Sequence, residues 1–495
     1  MLNRFIKFLL PHFEKLNDKK AILYFFVAGL LLRFPFFFRD YVDRDESTFI
    51  LVGQSWVDGF LPYTELWDIK PPLTFGFFAV IIYLFGKSFI AIRLAGVFLI
   101  SATALFTYKI GTSIGSKKTA FWSAMACIAL QSLFGSIQGV MSEHICMTFF
   151  MMGIYFFTKE KTGLNLFFAG LLIGVALMVK LNLAYAALFI GLYAVYYFTK
   201  RKQYSTGILG TGLYGTGIIL MILLTVLPYY LEGLTELWWK SNFKAPMDYA
   251  NARRYSIFRL MPLFLGISGF LFFAWKKKYI DFKQETVQIL TIVIFGVLFS
   301  FVKAGRINSH YLIQLYPCLI ILIGVVLSKL QFLKNPKLYK VYLMLLFLIP
   351  AESYLEYYRI VKHKIEKGTF YNGEGVSVPR YIVENDLDTD NILFLGYHIG
   401  YWALDKKPPT KAATHPSNIL KDEMFSAYDN PRETAMEELR YIMETLQPKT
   451  IVVRKNRKIF DKKEEEHNTY IDTYLLENYK IEATVEQAEI LQRLE

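Results

Sequence analysis

The chain has 495 residues, of which 54% are hydrophobic, 17% aromatic and only 20% charged, whereas a soluble protein carries about a quarter charged residues. The hydrophobic excess sits in repeated runs of roughly 15 to 22 residues, the length that crosses about 30 Å of hydrocarbon, so a soluble protein is excluded. A formal net charge of +13 would suit a nucleic-acid binder, but the basic residues cluster in short stretches between apolar runs, as the positive-inside bias requires, and nucleic acid is not an expected partner.

In chain order, residues 1–20 are basic and amphipathic, with aromatic and leucine positions interleaved with Arg4, Lys7, Lys15, Lys19 and Lys20. They predict an interfacial helix on the cytoplasmic surface rather than a cleaved leader. A first span follows at 21–38, with the N-terminus inside. The next stretch, about 39 to 70, is too polar to be buried in lipid. Pro71-Pro72 then opens an apolar run ending at Phe85-Gly86, which is short for a span. The run 91–108 leads to the basic turn Lys109 to Lys118, which belongs inside. Only one crossing therefore separates that turn from the first loop, and 72–86 is expected on the outer side, within a first outer loop of 39–90.

Crossings are then predicted at 121–140, 145–157, 166–179, 183–198, 207–227, 261–274, 286–302, 311–327 and 342–351. Basic turns with Lys159 and Lys161, Lys200-Arg201-Lys202, Lys276-Lys277-Lys278 and Lys329, Lys334 and Lys337 all fall on one side. The count is about eleven spans, an odd number, which puts the tail outside. The tail is richer in charge. It carries β-like runs at Asn391–Gly396 and Thr450–Arg454 and a helical pattern over Arg432–Leu446. Three parts are expected: a cytoplasmic amphipathic helix (1–20), an all-α polytopic transmembrane domain (21–351) and a small extracytoplasmic α/β domain (352–495). The expected location is the cytoplasmic, inner membrane. Cys127, Cys146 and Cys318 lie in or beside apolar runs with no Cys-x-x-Cys pairing, which argues against a disulfide framework or a cysteine zinc site.

Charged groups at membrane edges are costly unless solvated, paired or useful. Five features stand out, all on the predicted outer face. The first is Asp43-Arg44-Asp45-Glu46, a carboxylate cluster or an ordinary polar loop start. The second is Trp67-Asp68-Ile69-Lys70-Pro71-Pro72, where the proline pair would hold Lys70 for a phosphate, or Lys70 merely snorkels. The third is Ser142-Glu143-His144, for which a helix N-cap at Ser142 is the plain alternative. Lys180, after Gly170-x-x-x-Gly174, is the fourth. Arg306, with His310 and Tyr311, is the fifth; a structural hydrogen bond competes with a base role for His310.

The order and wording of these segments resemble a family. Asp45-Glu46-Ser-Thr-Phe, Asp58-Gly59-Phe-Leu-Pro62-Tyr63, Asp68-Ile-Lys70-Pro71-Pro72-Leu73 and Leu84-Phe85-Gly86 through to Arg93-Leu resemble the protein O-mannosyltransferase-like branch of the GT-C glycosyltransferases. The aminoarabinose transferases of lipid A are similar enzymes in that group. The resemblance is specific over about Phe34 to Lys180, looser to Pro317, and general in the tail. It implies a GT-C-like fold and an outer-face site with Asp45 as catalytic base and Glu46 beside it. It also implies Lys70 and Lys180 at the donor phosphate, with Glu143 as the acidic residue of the second outer loop; Arg306 is a further candidate for the phosphate. Two departures stand out: Thr48 where the aminoarabinose transferases carry arginine, and Ile69 where they carry glutamate. They argue against the aminoarabinose substrate rather than the reaction type.

The reaction implied is sugar transfer from a polyprenyl-phosphate donor to an acceptor hydroxyl (on a lipid, glycan or protein) by single displacement with inversion, with membrane lipid as surroundings. No metal-ligand spacing is evident, although a divalent ion between Asp45 or Glu46 and Glu143 is compatible with the residues. The alternatives are a polytopic secondary transporter, disfavoured by apolar midspans, and a non-catalytic lipid-binding protein.

Overall fold

The computed structural model describes residues 11–40, 43–133, 135–252, 257–305, 307–331, 341, 344, 348–414 and 416–494. The chain is mostly helical, with one small sheet near its end. Among the described residues, five helical stretches are long and apolar enough to cross a membrane: Asp18–Phe38, Phe89–Gly111, Leu181–Lys200, Tyr204–Leu231 and Glu285–Ala304. Pro72–Phe85, Gly163–Leu177, Met261–Lys276 and Tyr316–Lys329 are apolar but shorter. Among the described residues, helix length alone does not establish the figure of about eleven spans. The run 166–179, for instance, lies almost wholly in the helix Gly163–Leu177, which ends before a turn carrying Lys180.

Three expected boundaries move. The first long helix begins at Asp18, capped by Asn17, whose side-chain oxygen accepts from the Lys20 N–H at 2.9 Å; residues 18–20 thus belong to it. Of the expected surface helix, Phe13–Lys15 forms one 3₁₀ turn and residues 1–10 lie outside the described residues. The stretch between the crossings predicted at 207–227 and 261–274 is largely helical: Tyr204–Leu231 runs through Pro228, and Thr235–Trp239 and Ala245–Ala252 follow. Most of the last expected crossing, 342–351, lies outside the described residues.

Contacts gather the chain into two compact units. The first comprises Met1–Phe34, Leu94–Leu224 and Arg254–Leu355. Part of its core is aromatic, with Phe25, Tyr108 and Phe121 buried together. Glycines bring its helices to backbone contact. A Cβ at Gly153 would lie 2.7 Å from Ile173 Cγ1, one at Gly217 would lie 2.5 Å from the Leu171 nitrogen, and one at Gly170 would overlap the Tyr214 carbonyl. This is the small-residue packing that apolar helices use where burial alone gives no attraction.

The second unit comprises Pro35–Arg93, Thr225–Arg253 and Glu356–Glu495, so the tail is of one piece with the first loop. Its sheet runs β1 (Leu393–Phe394), β2 (Thr450–Arg454), β4 (Ala488–Arg493), β3 (Tyr479–Val485), with β1 parallel to β2 and the other pairs antiparallel. The runs expected at 391–396 and 450–454 supply β1 and β2. The helical pattern at 432–446 becomes Ala435–Arg440, continued by a wider π turn over Tyr441–Leu446. Behind the sheet, Ile419, Leu439, Ile442, Ile451, Ile471 and Leu491 form a buried core. Elsewhere in the unit, the helix Arg44–Val57 lies on Pro72–Phe85 so closely that a Cβ at Gly53 would sit 2.8 Å from Phe78 Cβ. The Trp67 N–H donates to the Lys411 carbonyl at 2.8 Å, and the Ala413 N–H donates to the Trp67 carbonyl at 3.3 Å.

Candidate active site

The first group of site residues is built in the second unit. Asp43 caps the helix Arg44–Val57, its Oδ1 accepting from the Asp45 N–H at 2.8 Å. Asp45 and Glu46 therefore fall in the first turn, where the helix dipole favours carboxylates. Successive positions on a helix point about 100° apart, and the two carboxylates part accordingly. Asp45 keeps 32% of its side chain exposed, with Oδ2 3.4 Å from Lys70 Nζ. Glu46 points inward, 1% exposed, with Oε2 2.5 Å from Arg93 Nη2; Arg93 Nη1 also donates to the Phe36 carbonyl at 3.1 Å. Glu46, expected beside the base, thus spends its charge on a buried guanidinium.

Lys70 is placed by its neighbours. Pro72 starts the helix Pro72–Phe85 at a position where the missing N–H costs nothing, and Gly86 ends it at φ 67°. The Tyr63 hydroxyl donates to the Lys70 carbonyl at 2.6 Å. The Lys70 N–H donates to Asp68 Oδ1 at 3.3 Å, and its ammonium lies 5.5 Å from the Phe49 ring centre. Asp68 itself is buried, its Oδ2 accepting from the Thr414 hydroxyl at 3.0 Å and from Asn418 at 3.4 Å. It shapes the Lys70 segment rather than facing solvent. Thr48 stands 2.7 Å from the Thr414 hydroxyl and 3.1 Å from His398 Nε2. Thr48 is therefore a buried link from first loop to tail.

Asp43 differs from its neighbours electrostatically. Burial, and then the adjacent Asp45 carboxylate, push its pKa up to about 7.

The second group lies in the first unit, around the start of the helix Ser142–Thr158. The plain alternative of an N-cap at Ser142 does not hold, because the cap position is Met141, whose N–H donates to His144 Nδ1 at 3.0 Å. His144 Nε2 in turn donates to the Gln131 carbonyl at 3.0 Å, which fixes a neutral imidazole. The Ser142 hydroxyl instead donates to Glu143 Oε2 at 3.1 Å. Glu143 also forms an ion pair with Lys180, and both are buried. His310 Nε2 is 3.8 Å from Glu143 Oε1, and the Tyr311 ring centre is 4.4 Å from Lys180 Nζ. Glu143, Lys180, His310 and Tyr311 thus come together, while Arg306 lies outside the described residues.

Arg33 is a residue the motif reading passed over. Buried at the end of the first long helix, it donates to four carbonyls: Gln131 at 3.2 Å, Ile137 at 2.9 Å, Gln138 at 2.9 Å and Gly139 at 2.5 Å. It thereby fixes the loop that leads into Glu143. The signal was present, since Arg33 is the one charge between Ala21 and Phe38, and a lone ionisable residue in an apolar run marks a buried role.

Among the described residues no group of three or more His, Cys, Asp or Glu side chains could hold a metal ion. Glu46 and Glu143, two of the carboxylates named for a divalent ion, each already hold a basic side chain. The three cysteines are buried thiols.

No sequence-family model matches the chain, and no curated protein matches it by sequence. Solved structures do. ArnT from Cupriavidus metallidurans bound to undecaprenyl phosphate aligns with a TM-score of 0.59 at 14% identity, covering 94% of this chain and 97% of that one. The same protein in the apo state aligns with a TM-score of 0.60 at 12% identity, covering 94% and 96%. At such identity the likeness speaks for the fold, and it extends over nearly the whole of both chains. The chain is an integral membrane protein with the fold of ArnT over nearly its whole length.

Proposed function

We propose that the protein is a membrane glycosyltransferase that moves a sugar from a polyprenyl-phosphate donor to an acceptor hydroxyl on the outer face of the inner membrane. The observation that carries this reading is the half-exposed pair of Asp45 and Lys70, 3.4 Å apart. One group can take a proton and the other can meet a phosphate, each held by a rigid helix start. The ArnT fold, solved with undecaprenyl phosphate bound to that protein, supports the choice of donor.

Asp45 takes the proton of the acceptor hydroxyl, whose oxygen attacks the anomeric carbon. The bond from that carbon to the phosphate oxygen breaks, and polyprenyl phosphate leaves with the electron pair, which inverts the anomeric centre. Lys70 meets the charge that develops on the leaving phosphate. A preformed cation of this kind needs no reorganisation during the reaction, and such electrostatic help is usually the largest single contribution. Lys180 serves a different purpose in this reading. Buried against Glu143, it neutralises that carboxylate and anchors the turn before it, so the phosphate role falls to Lys70. Glu46, tied to Arg93, positions the helix start that presents Asp45.

The test is turnover of a small panel of polyprenyl-phosphate sugars by purified protein, followed as released polyprenyl phosphate, with water allowed as acceptor. Turnover of one donor is expected. Failure to turn over or bind any donor, in protein shown to be folded, would contradict the reading and favour a transporter or a lipid-binding scaffold.

A further inference from the structure

The second unit holds a cavity of about 330 Å³ that the transfer chemistry does not use, lined by Leu66, by residues of the segment 407–411 and by residues between 428 and 441. That volume suits a small ligand. Six charged side chains face it, and they balance: Lys407, Lys411 and Arg432 against Glu65, Asp429 and Glu438. Lys407 is already 2.5 Å from Glu65, and Arg432 is paired with Glu438. The walls thus offer little net field to a phosphate or a carboxylate.

They offer hydrogen-bonding capacity instead. Glu438 is 1% exposed; its Oε2 accepts from Arg432 and, at 2.9 Å, from Asn430, while its Oε1 is buried without a partner among the described residues. The Thr410 hydroxyl is likewise buried and has no partner among the described residues. Polar atoms left in this state carry a desolvation penalty that a hydroxyl-bearing ligand would relieve. Flat apolar surface surrounds them: Pro408, Pro409 and Pro431, and the Tyr441 ring beneath the Arg432 guanidinium at 4.0 Å. Hydroxyls around a rim and C–H faces between them are the chemistry of a sugar ring.

We propose that this cavity binds a neutral saccharide, the acceptor side of the transfer reaction, an assignment that rests on the glycosyltransferase reading above. Its position fits. Leu66 lines the cavity, the next residue pairs through its main chain with Lys411 and Ala413, and Lys70 stands three residues further on beside Asp45. Four residues of extended chain span at most about 14 Å, within reach of an oligosaccharide seated in the cavity.

The experiment is saturation-transfer NMR on the full-length, detergent-solubilised protein with a panel of neutral methyl hexosides and short neutral oligosaccharides, and acidic sugars as comparison. At least one neutral saccharide binds, and Thr410→Val weakens it roughly three- to tenfold with the unfolding temperature unchanged. Glu438→Gln, which replaces the unpartnered acceptor, weakens it too; should that variant misfold, Thr410→Val alone decides. No binding of any neutral saccharide, a preference for acidic ones, or binding indifferent to Thr410→Val would overturn the proposal. The measurement needs neither donor nor turnover, so its failure would leave the transferase reading to its own test.

Discussion

Asp43, Asp45 and Glu46 sit within four positions of one another and meet three different environments. Asp45 faces solvent and Lys70, Glu46 is locked on Arg93, and Asp43 is half-buried at the cap. Sequence shows three carboxylates, and the helix start sorts them. The Asp43 shift has a signed consequence. Its folded pKa of about 7 exceeds the ordinary 3.8, so the native state holds the proton more tightly than the unfolded chain does. That contribution to stability is fully present below about pH 4 and is lost as pH rises through about 7. Between about pH 5 and about pH 8 the wild-type unfolding temperature should fall more steeply than that of Asp43→Asn, which stays neutral throughout. Equal slopes in thermal scans of the two proteins would show that Asp43 does not titrate there. At the same scale, Lys70→Gln should raise the KM for the donor and lower kcat by roughly tenfold or more, as loss of a charge at the developing phosphate requires. An unchanged kcat would limit Lys70 to ground-state binding.

Among the elements, the Glu143 turn and the Gly170 helix contact make the clearest predictions. Glu143 and Lys180 form a buried pair, and removing one member strands the other without its counter-charge. Glu143→Gln and Lys180→Met should each cost about 3 to 5 kcal/mol, and the double variant less than the sum. Additive losses in chemical or thermal unfolding would show that the two do not act as a pair. At Gly170 a side chain would collide with the Tyr214 backbone, whereas at Gly212 a Cβ meets nothing within 4 Å. Gly170→Leu should abolish or sharply reduce the folded, monodisperse fraction on size-exclusion chromatography, and Gly212→Leu should leave it intact. Similar behaviour of the two variants would refute the close helix contact.

Legibility in sequence followed the strength of local rules. Pro71-Pro72 and Gly86 delimit the helix Pro72–Phe85, and apolar periodicity announces β1 and β2. The hairpin of β3 and β4 was missed although Lys480-Ile481-Glu482-Ala483 alternates polar and apolar residues as a half-buried strand does. Ser142 fits the composition of a cap, yet its hydroxyl is drawn to Glu143 by a contact that only folding creates. The buried partnership of Glu46 with Arg93, 47 positions apart, is likewise tertiary.

For the whole molecule, composition and loop charge sufficed to establish a membrane protein, and the first-loop motifs led to the fold that ArnT shares. The number of crossings is not established by helix length, since several apolar helices among the described residues have fewer than 18 residues. The grouping of the first loop with the tail also lay beyond local pattern, because the bonds that make it, such as Trp67 to Lys411 and Thr48 to Thr414, join residues more than three hundred positions apart.

The central claim is that Asp45 is the base of a polyprenyl-phosphate-dependent sugar transfer. The most direct measurement is transfer of radiolabelled sugar from the donor that wild type turns over, comparing Asp45→Asn with Glu46→Gln in folded protein. The account predicts that Asp45→Asn loses roughly 10²- to 10⁴-fold in rate while its unfolding temperature is kept. Glu46→Gln should lose stability first, through the stranded Arg93. Full activity in Asp45→Asn would contradict the claim.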